Sequence, residues 1–178
     1  MLRDIIETAR LRLRRFRLQD VDDVLVYATD PEWARYLPVP QPYTQADAEK
    51  FIAGQVLLDH EVHPAWAIEH AGAVIGGINL RFHFDHHVGE MGYSIARSYW
   101  GRGLATEAAR AVMEAAFEAY ASLHRLRAMA DARNFGSLRV MEKLGMVREG
   151  VLRQNRLEHR SSIIETGYIG ALAPFASS

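Results

Sequence analysis

The chain of 178 residues contains no cysteine. Disulfide bonds, metal sites built on thiolates and a covalent acyl-cysteine intermediate are therefore excluded. An excess of one charge sign is also missing, because 21 Lys and Arg residues are balanced by 22 Asp and Glu residues, for a formal net charge of -1. Such a chain has no general field that attracts nucleic acid, so a direct nucleic-acid partner is not expected.

Long hydrophobic runs are absent as well. No stretch approaches the roughly 20 apolar residues of a membrane span, and the opening MLRDIIETAR contains acidic residues and no signal-peptide core. We therefore expect a cytoplasmic protein without membrane contact. The length and the average composition favour a single globular domain, residues 1–178, with room for a full core.

Hydrophobic periodicity predicts a mixed α/β chain. An arginine-rich segment near the start alternates like a strand with one buried face; we expect its arginines to form a solvated edge, with a patch for an acidic partner as the alternative. Strands are predicted at residues 11–18, 65–70, 73–84, 88–95, 124–130, 146–153 and 161–169. Helices are predicted at residues 19–28, 30–36, 45–60, 104–120 and 134–145.

The most informative stretch is YWGRGLATEAA, residues 99–109, where a strand leads through a glycine turn into an alanine-rich helix. Gly101 and Gly103 allow sharp bends close to a ligand, and the first N-H groups of the helix have no partners within it. These donors attract phosphate, helped by the charge of Arg102 and the hydroxyl of Thr106. The turn is neither a Walker loop nor a dinucleotide fingerprint, and a plain turn is the alternative interpretation.

A second unusual stretch is LPVPQPYT, residues 37–44, with three prolines in five residues. Proline at this density forbids regular structure and stiffens the chain. Together with Trp33 and Tyr36 before it, Tyr43 is predicted to form the lip of a substrate pocket. The alternative is a rigid connector whose aromatic side chains only pack.

Several motifs in register carry a resemblance to a known family. These are TARLRLRRFRLQDVDDV at the start, then GEMGYSIARSYWGRGLATEA, then DARNFGSLRVMEKLGMVREGVLR. Together they resemble the GNAT superfamily of acyl-CoA-dependent N-acyltransferases, with the nearest likeness to its RimJ/RimL branch of ribosomal-protein N-terminal acetyltransferases. The resemblance implies the GNAT fold: a mixed, mostly antiparallel sheet of six to seven strands, splayed at the acyl-CoA site and flanked by helices.

The resemblance also implies acetyl-CoA as co-substrate and assigns residues to it. Residues 100–105 match the family's pyrophosphate loop, and residues 93–96 match the strand whose backbone pairs with the pantetheine arm. Asn134 and Ser137 would contact the pantetheine and the sulfur, although Asn134 also reads as a plain helix cap. The predicted cofactor-binding residues are Ser94, Ile95, Trp100, Gly101, Arg102, Gly103, Leu104, Ala105, Thr106, Asn134, Ser137 and Lys143.

Two catalytic residues are predicted, Glu90 from its place on the strand that leads to the pantetheine site and Ser137 from the resemblance. Glu90 would act as base on the acceptor amine, directly or through water, since a neutral amine is needed for attack; a surface carboxylate is the alternative. The backbone N-H near Ile95 would donate to the oxyanion. Many GNAT enzymes place a tyrosine acid where this chain has Met141, which cannot donate a proton. The task of stabilising the leaving thiolate then passes to Ser137 or to solvent.

A metal cofactor is not expected. His83, His86, His87 and Asp85 cluster in sequence, but strand alternation sends neighbouring side chains to opposite faces, so a polar hairpin tip is the better interpretation. The acceptor is first predicted to be a protein N-terminal α-amine, with a small amine such as a polyamine, amino acid or aminoglycoside as the alternative. A non-catalytic acyl-CoA sensor is the rival from another class, and homodimers are common among proteins of this likeness.

Overall fold

The computed structural model describes the backbone of residues 2–158 and 162–172 and the side chains of residues 2–152. In these ranges the chain forms one mixed sheet flanked by helices. The strands are β1 Ile5–Glu7, β2 Arg12–Arg14, β3 Ala65–His70, β4 Ala73–His83, β5 Val88–Ile95, β6 Arg125–Asp131, β7 Val147–Arg148, β8 Leu152–Glu158 and β9 Ser162–Leu172. The α-helices are α1 Val21–Ala28, α2 Pro31–Ala34, α3 Gln45–Val56, α4 Leu104–Ala119 and α5 Phe135–Lys143.

The sheet has the strand order β1-β2-β3-β4-β5-β6-β9-β7, with β8 paired to β9. Every neighbouring pair is antiparallel except β5 and β6, which are parallel across α4. The predicted mixed, mostly antiparallel GNAT sheet is therefore confirmed. The described strands number nine, where the sequence predicted six to seven, because β1 adds a short edge strand and the predicted strand at residues 146–153 is divided into β7 and the start of β8.

Helices cover both faces of the sheet. On one face, α4 packs Val112, Met113 and the small side chains beside them against residues such as Trp66 and Leu80. On the other face, α1 to α3 pack around a second cluster that includes Phe16 and Ile52. Strand β3 is buried on both faces, as its unbroken apolar run AWAI requires.

The arginine-rich segment departs from its prediction. β1 is the outer neighbour of β2, so β2 is not the edge of the sheet. Arg14 is buried and makes a double hydrogen bond to Asp20 and a further one to Glu69. The expected solvated edge is therefore wrong for Arg14, because its two carboxylate partners come from elements that alternation within a single strand does not reveal.

The separation of β5 from β6 creates the space for a site. The two strands are paired only from Val88 to Met91 on β5 and from Arg125 to Ala128 on β6. Beyond Met91 they diverge, and the start of α4 and the start of α5 lie at the open end. None of the helices in the described ranges combines the length and apolar character needed to cross a bilayer.

Candidate active site

The glycine turn has the backbone that the sequence predicted. Gly101 has φ +72° and Gly103 has φ +78°, both in the left-handed region that favours glycine. Gly103 is the residue immediately before α4, and the first helical hydrogen bond runs from the N-H of Glu107 to the carbonyl of Gly103. The preceding N-H groups of this turn have no partner within the helix and lie at its positive end.

A cavity of about 470 Å³ lies between the glycine turn, the end of β5, the start of α5 and α2. It brings together almost every residue predicted to bind the cofactor. The exception is Arg102, whose guanidinium carbon instead lies 5.1 Å from the centre of the Tyr99 ring. The predicted residues that line the cavity are Ser94, Ile95, Trp100, Gly101, Gly103, Leu104, Ala105, Thr106, Asn134, Ser137 and Lys143.

The strand register determines which backbone groups of β5 face the gap. Ala96 donates its N-H to the Ile75 carbonyl at 2.7 Å, so alternate residues of β5, such as Ser94, turn their backbone groups towards β4. The residues between them, Tyr93 and Ile95, turn theirs the other way, towards the space that β6 has left. An extended ligand in the gap can therefore pair with this edge as an additional strand.

Trp100 closes part of this edge. Its indole N-H donates to the Ile95 carbonyl at 2.8 Å, although about half of the side chain remains exposed. The Ile95 carbonyl is thus already bonded, whereas the Ile95 N-H faces the gap. Trp100, the first residue of the loop, therefore fixes the loop to the end of β5.

The start of α5 carries the second half of the site. The Asn134 side chain accepts a hydrogen bond from the Ser137 N-H at 3.0 Å, which is a standard N-cap. The Ser137 hydroxyl lies 2.9 Å from the Tyr93 hydroxyl, which also donates to the Ser137 carbonyl at 3.1 Å. Burial raises the pKa of Tyr93 to about 12, more than the hydrogen bond from Ser137 lowers it, so the phenol stays protonated.

Tyr93 is the functional candidate that sequence reasoning missed. The only signal was its position two residues before Ile95, on the strand already matched to the pantetheine arm. Met141, at the position of the family's usual tyrosine, is fully buried in the core and is not part of the cavity lining. A phenol is thus present at the site, but it comes from β5 and not from α5.

Two of the three aromatic side chains predicted to form the lip of the pocket line the cavity, and the third does not. Trp33 and Tyr36 line the cavity, whereas Tyr43 is buried with its ring centre 6.5 Å from that of Trp33 and does not line it. Tyr43 therefore supports the lip from behind. The indole nitrogen of Trp33 is buried without a hydrogen-bond partner. The guanidinium groups of Arg35 and Arg133 lie 5.4 and 5.8 Å from the Tyr36 ring centre.

Glu90 is not brought to the cavity. Its carboxylate is bonded to Arg127 on the neighbouring parallel strand, with distances of 2.9 and 3.0 Å to two guanidinium nitrogens. Glu90 and Ser94 lie on the same face of β5 with Gly92 between them, and of the two only Ser94 lines the cavity. The assignment of Glu90 as base stays a prediction.

The charged side chains around the cavity are mainly cationic. Glu32 is the carboxylate among the described lining residues, and it lies 3.4 Å from Arg35. Arg139 and Lys143 line the part of the cavity formed by α5, a suitable position for binding phosphate. The described residues contain no group of three potential metal-ligating side chains.

These features define an acyltransferase site built on a splayed sheet and a phosphate-binding helix start. Residues 10–147 match the acetyltransferase (GNAT) domain family. The chain is 33% identical over 149 residues to the uncharacterized N-acetyltransferase YnaD of Bacillus subtilis (strain 168), covering 84% of this chain and 86% of YnaD. The chain therefore belongs to the GNAT acetyltransferase family and is an N-acetyltransferase.

Solved structures agree with this assignment. An acetyltransferase of the GNAT family from Bacillus anthracis has a TM-score of 0.82 at 27% identity, covering 95% of this chain and 98% of that one. The microcin C7 self-immunity acetyltransferase MccE, in complex with acetyl-CoA and AMP, has a TM-score of 0.81 at 15% identity, covering 93% of both chains. RimL, a ribosomal L7/L12 α-N-protein acetyltransferase in complex with coenzyme A, has a TM-score of 0.82 at 19% identity, covering 95% of this chain and 97% of RimL. The last two likenesses concern the fold alone.

Proposed function

We propose that this enzyme transfers the acetyl group of acetyl-CoA to the α-amine of a protein N-terminus. The observation that carries the proposal is the chemistry of the cavity mouth, where aromatic rings and guanidinium groups predominate among the described lining residues and their one carboxylate, that of Glu32, is paired with Arg35. RimL, with which the chain shares its fold, is named for the same kind of acceptor.

The donor fits the residues present. The left-handed glycines and the start of α4 form a cradle for the pyrophosphate, with Thr106 in its first turn. The backbone groups of Tyr93 and Ile95 that face the gap suit the amide-containing pantetheine arm. Arg139 and Lys143 lie on the α5 side, where they can meet the remaining phosphate. Acetyl-CoA, when bound, supplies an acetyl group activated as a thioester.

The acceptor end disfavours a polycation. A polyamine or an aminoglycoside carries several positive charges and needs carboxylates to hold them, yet Glu32 is already paired with Arg35, and a second guanidinium, that of Arg133, lies 5.8 Å from the centre of the Tyr36 ring. A peptide N-terminus brings a single amine and a chain of backbone carbonyls. Arg35, whose contact with Glu32 at 3.4 Å is exposed, can donate to such carbonyls, whereas Arg133 is held by Asp131 at 2.6 and 2.9 Å. The aromatic lip of Trp33 and Tyr36 can pack on the first side chain.

The reaction needs a donor for each negative charge that develops. The Ile95 N-H faces the gap and can donate to the acetyl oxygen as charge builds on it. The Ser137 hydroxyl can donate to the departing sulfur. When Ser137 does so, the Tyr93 proton can move from the Ser137 carbonyl to the Ser137 hydroxyl oxygen, which makes that hydroxyl a stronger donor.

The acceptor amine must also lose a proton. Direct transfer to Glu90 does not suit the geometry, because its carboxylate is bonded to Arg127 and lies outside the cavity lining. We propose that water carries the proton along the strand face shared by Glu90, Gly92 and Ser94. Gly92 has no side chain, and the space over it is taken by the Asn79 amide, whose Oδ1 lies 3.0 Å from where a Cβ of residue 92 would stand, so this amide lies on the proposed route.

The experiment that tests the proposal uses the absence of cysteine from the chain. A thiol-reactive dye, added to protein, acetyl-CoA and an acceptor panel, reports released coenzyme A without protein background. The panel contains short peptides beginning with Ser, Ala, Thr or Met, alongside polyamines, aminoglycosides and free amino acids. We expect turnover with one class of peptide, and Ser137→Ala serves as the low-rate control.

Two other outcomes contradict the proposed acceptor. Turnover with a small amine and none with any peptide assigns the enzyme to small-molecule acetylation. Silence across the panel, with acetyl-CoA still raising the melting temperature, rejects every acceptor class tested. Mass spectrometry of the product, which locates the acetyl group on the α-amine or on a side chain, separates N-terminal acetylation from lysine acetylation.

A further inference from the structure

We propose that Arg10 is a positioning residue that sets the backbone of the glycine turn for pyrophosphate. This inference rests on the proposed role of residues 100–105 in binding the donor. It gives a function to the opening TARL motif, which the active site itself leaves unexplained.

The contacts of Arg10 join three parts of the chain. One terminal guanidinium nitrogen donates to the Arg102 carbonyl at 3.0 Å, inside the glycine turn. The Nε and the other terminal nitrogen reach Glu107 Oε2 at 2.7 and 2.6 Å. The guanidinium group thus bridges the turn and the first turn of α4, from a residue 92 positions away from Arg102 in sequence.

Glu107 is itself held on both carboxylate oxygens. Its Oε1 accepts hydrogen bonds from the Thr8 hydroxyl at 2.7 Å and from the Arg10 N-H at 2.9 Å. Burial raises the pKa of this carboxyl, but the hydrogen bonds from Thr8 and Arg10 outweigh burial and hold it below the usual value. The carboxylate therefore stays ionised and fixes the direction in which Arg10 points.

The consequence for the turn follows from peptide geometry. The peptide unit between Arg102 and Gly103 is planar and trans, so its N-H points opposite to its carbonyl. Arg10 holds the carbonyl on its own side, which directs the Gly103 N-H away from Arg10. Gly103 lines the cavity, and a Cβ built on it would point to the Arg10 side, 3.7 Å from the guanidinium. We infer that Arg10 thereby presents the Gly103 N-H to the pyrophosphate.

The test compares two ligands that differ in the pyrophosphate. Coenzyme A contains it, and pantetheine lacks it together with the adenosine part. Titration calorimetry on the full chain gives the Kd of each ligand without any acceptor. For Arg10→Ala we expect the Kd of coenzyme A to rise about tenfold, because one charge-assisted hydrogen bond and the turn geometry are lost. The Kd of pantetheine should stay unchanged.

Two further variants sharpen the result. Arg15→Ala removes an arginine that is paired with Asp4 on the same segment and has no contact with the turn, so both Kd values should stay unchanged. Arg10→Lys keeps the charge, but a single ammonium cannot form the same fork to Glu107 and the Arg102 carbonyl. We therefore expect Arg10→Lys to raise the Kd of coenzyme A nearly as much as Arg10→Ala does.

Two results overturn the inference. An Arg10→Ala protein with unchanged Kd for coenzyme A shows that the turn is correctly formed without Arg10. An equal loss for coenzyme A and pantetheine shows a general disturbance of the fold and not a setting of the turn. Failure of the underlying role looks different: the wild-type chain itself would then bind coenzyme A no more tightly than pantetheine.

Discussion

The Tyr93 hydroxyl lies 2.9 Å from the Ser137 hydroxyl, across the gap between β5 and the start of α5. The phenol proton has two acceptors within reach, the Ser137 carbonyl and the Ser137 hydroxyl oxygen. This pair joins the two elements that border the splayed part of the sheet. A substitution of either residue should therefore change the hydrogen bonding of the other.

We expect Ser137→Ala to lower kcat about 100-fold, as for loss of one hydrogen bond to the negative charge that develops on the leaving sulfur. Tyr93→Phe should lower kcat about tenfold, because it removes one hydrogen bond that orients and strengthens that donor. The double variant should be no slower than Ser137→Ala alone, since Tyr93 acts through the serine. Steady-state kinetics measures all three; additive losses in the double variant would show that Tyr93 acts independently.

The glycine turn gives a second prediction. Gly103→Ala forces an L-residue into a φ of +78°, at a cost of about 1 to 2 kcal/mol, although a Cβ would meet no clash there. We expect a lower melting temperature and a higher KM for acetyl-CoA. Gly54→Ala is the matched control: it lies inside α3 with open space around it and should raise the free energy of unfolding by about 0.5 to 1 kcal/mol. A rise in stability for Gly103→Ala would contradict the strain argument.

Features set by local chemistry could be predicted from the sequence. The left-handed glycines, the long helix after them, the Thr44 cap of α3 and the Asn134 cap of α5 each depend on residues a few positions apart. Such features follow from backbone preference and capping, which a single stretch of sequence contains.

Features set by distant contacts could not be predicted. The approach of Tyr93 to Ser137 depends on how far β5 and β6 diverge, and the bond from Glu90 to Arg127 depends on the register of these parallel strands. Arg14 became buried because Asp20 and Glu69 neutralise it from two other elements. The spacing of residues along the chain shows neither the register of paired strands nor the contacts between distant elements. Alternation alone therefore predicted that Arg14 is exposed.

The buried arginine network predicts a large effect on stability. Asp20 is 5% exposed, bonds both terminal nitrogens of Arg14 and also accepts the Arg17 N-H. Asp20→Asn leaves a buried guanidinium without its main counter-charge, and we expect the free energy of unfolding to fall by about 3 to 5 kcal/mol. Asp22→Asn, on the exposed side of α1, is the control and should change it by less than about 0.5 kcal/mol. Urea denaturation followed by circular dichroism measures both.

His60 makes stability depend on pH. Its Nε2 lies 3.0 Å from the Ala65 carbonyl and its ring packs edge-on against Trp66. Burial lowers the pKa of His60 in the folded chain below its usual 6.5. At pH values between the folded pKa and 6.5, the unfolded chain therefore binds more protons than the folded chain. The contribution of His60 is present above pH 6.5 and is lost as the pH falls through the folded pKa. We expect His60→Gln to flatten the dependence of the unfolding free energy on pH in this window; an unchanged slope would exclude this role.

Glu90 allows the proton route to be tested by pH. If water carries the proton of the acceptor amine towards this carboxylate, Glu90→Gln should lower kcat/KM for the acceptor about 100-fold at pH 7. The loss should shrink as the pH approaches the pKa of the acceptor amine, because the amine is then neutral without help. Arg127→Gln is the control, since it breaks the same ion pair but keeps the carboxylate. Equal losses in the two variants at every pH would mean that the pair serves the sheet and that Glu90 has no part in the proton transfer.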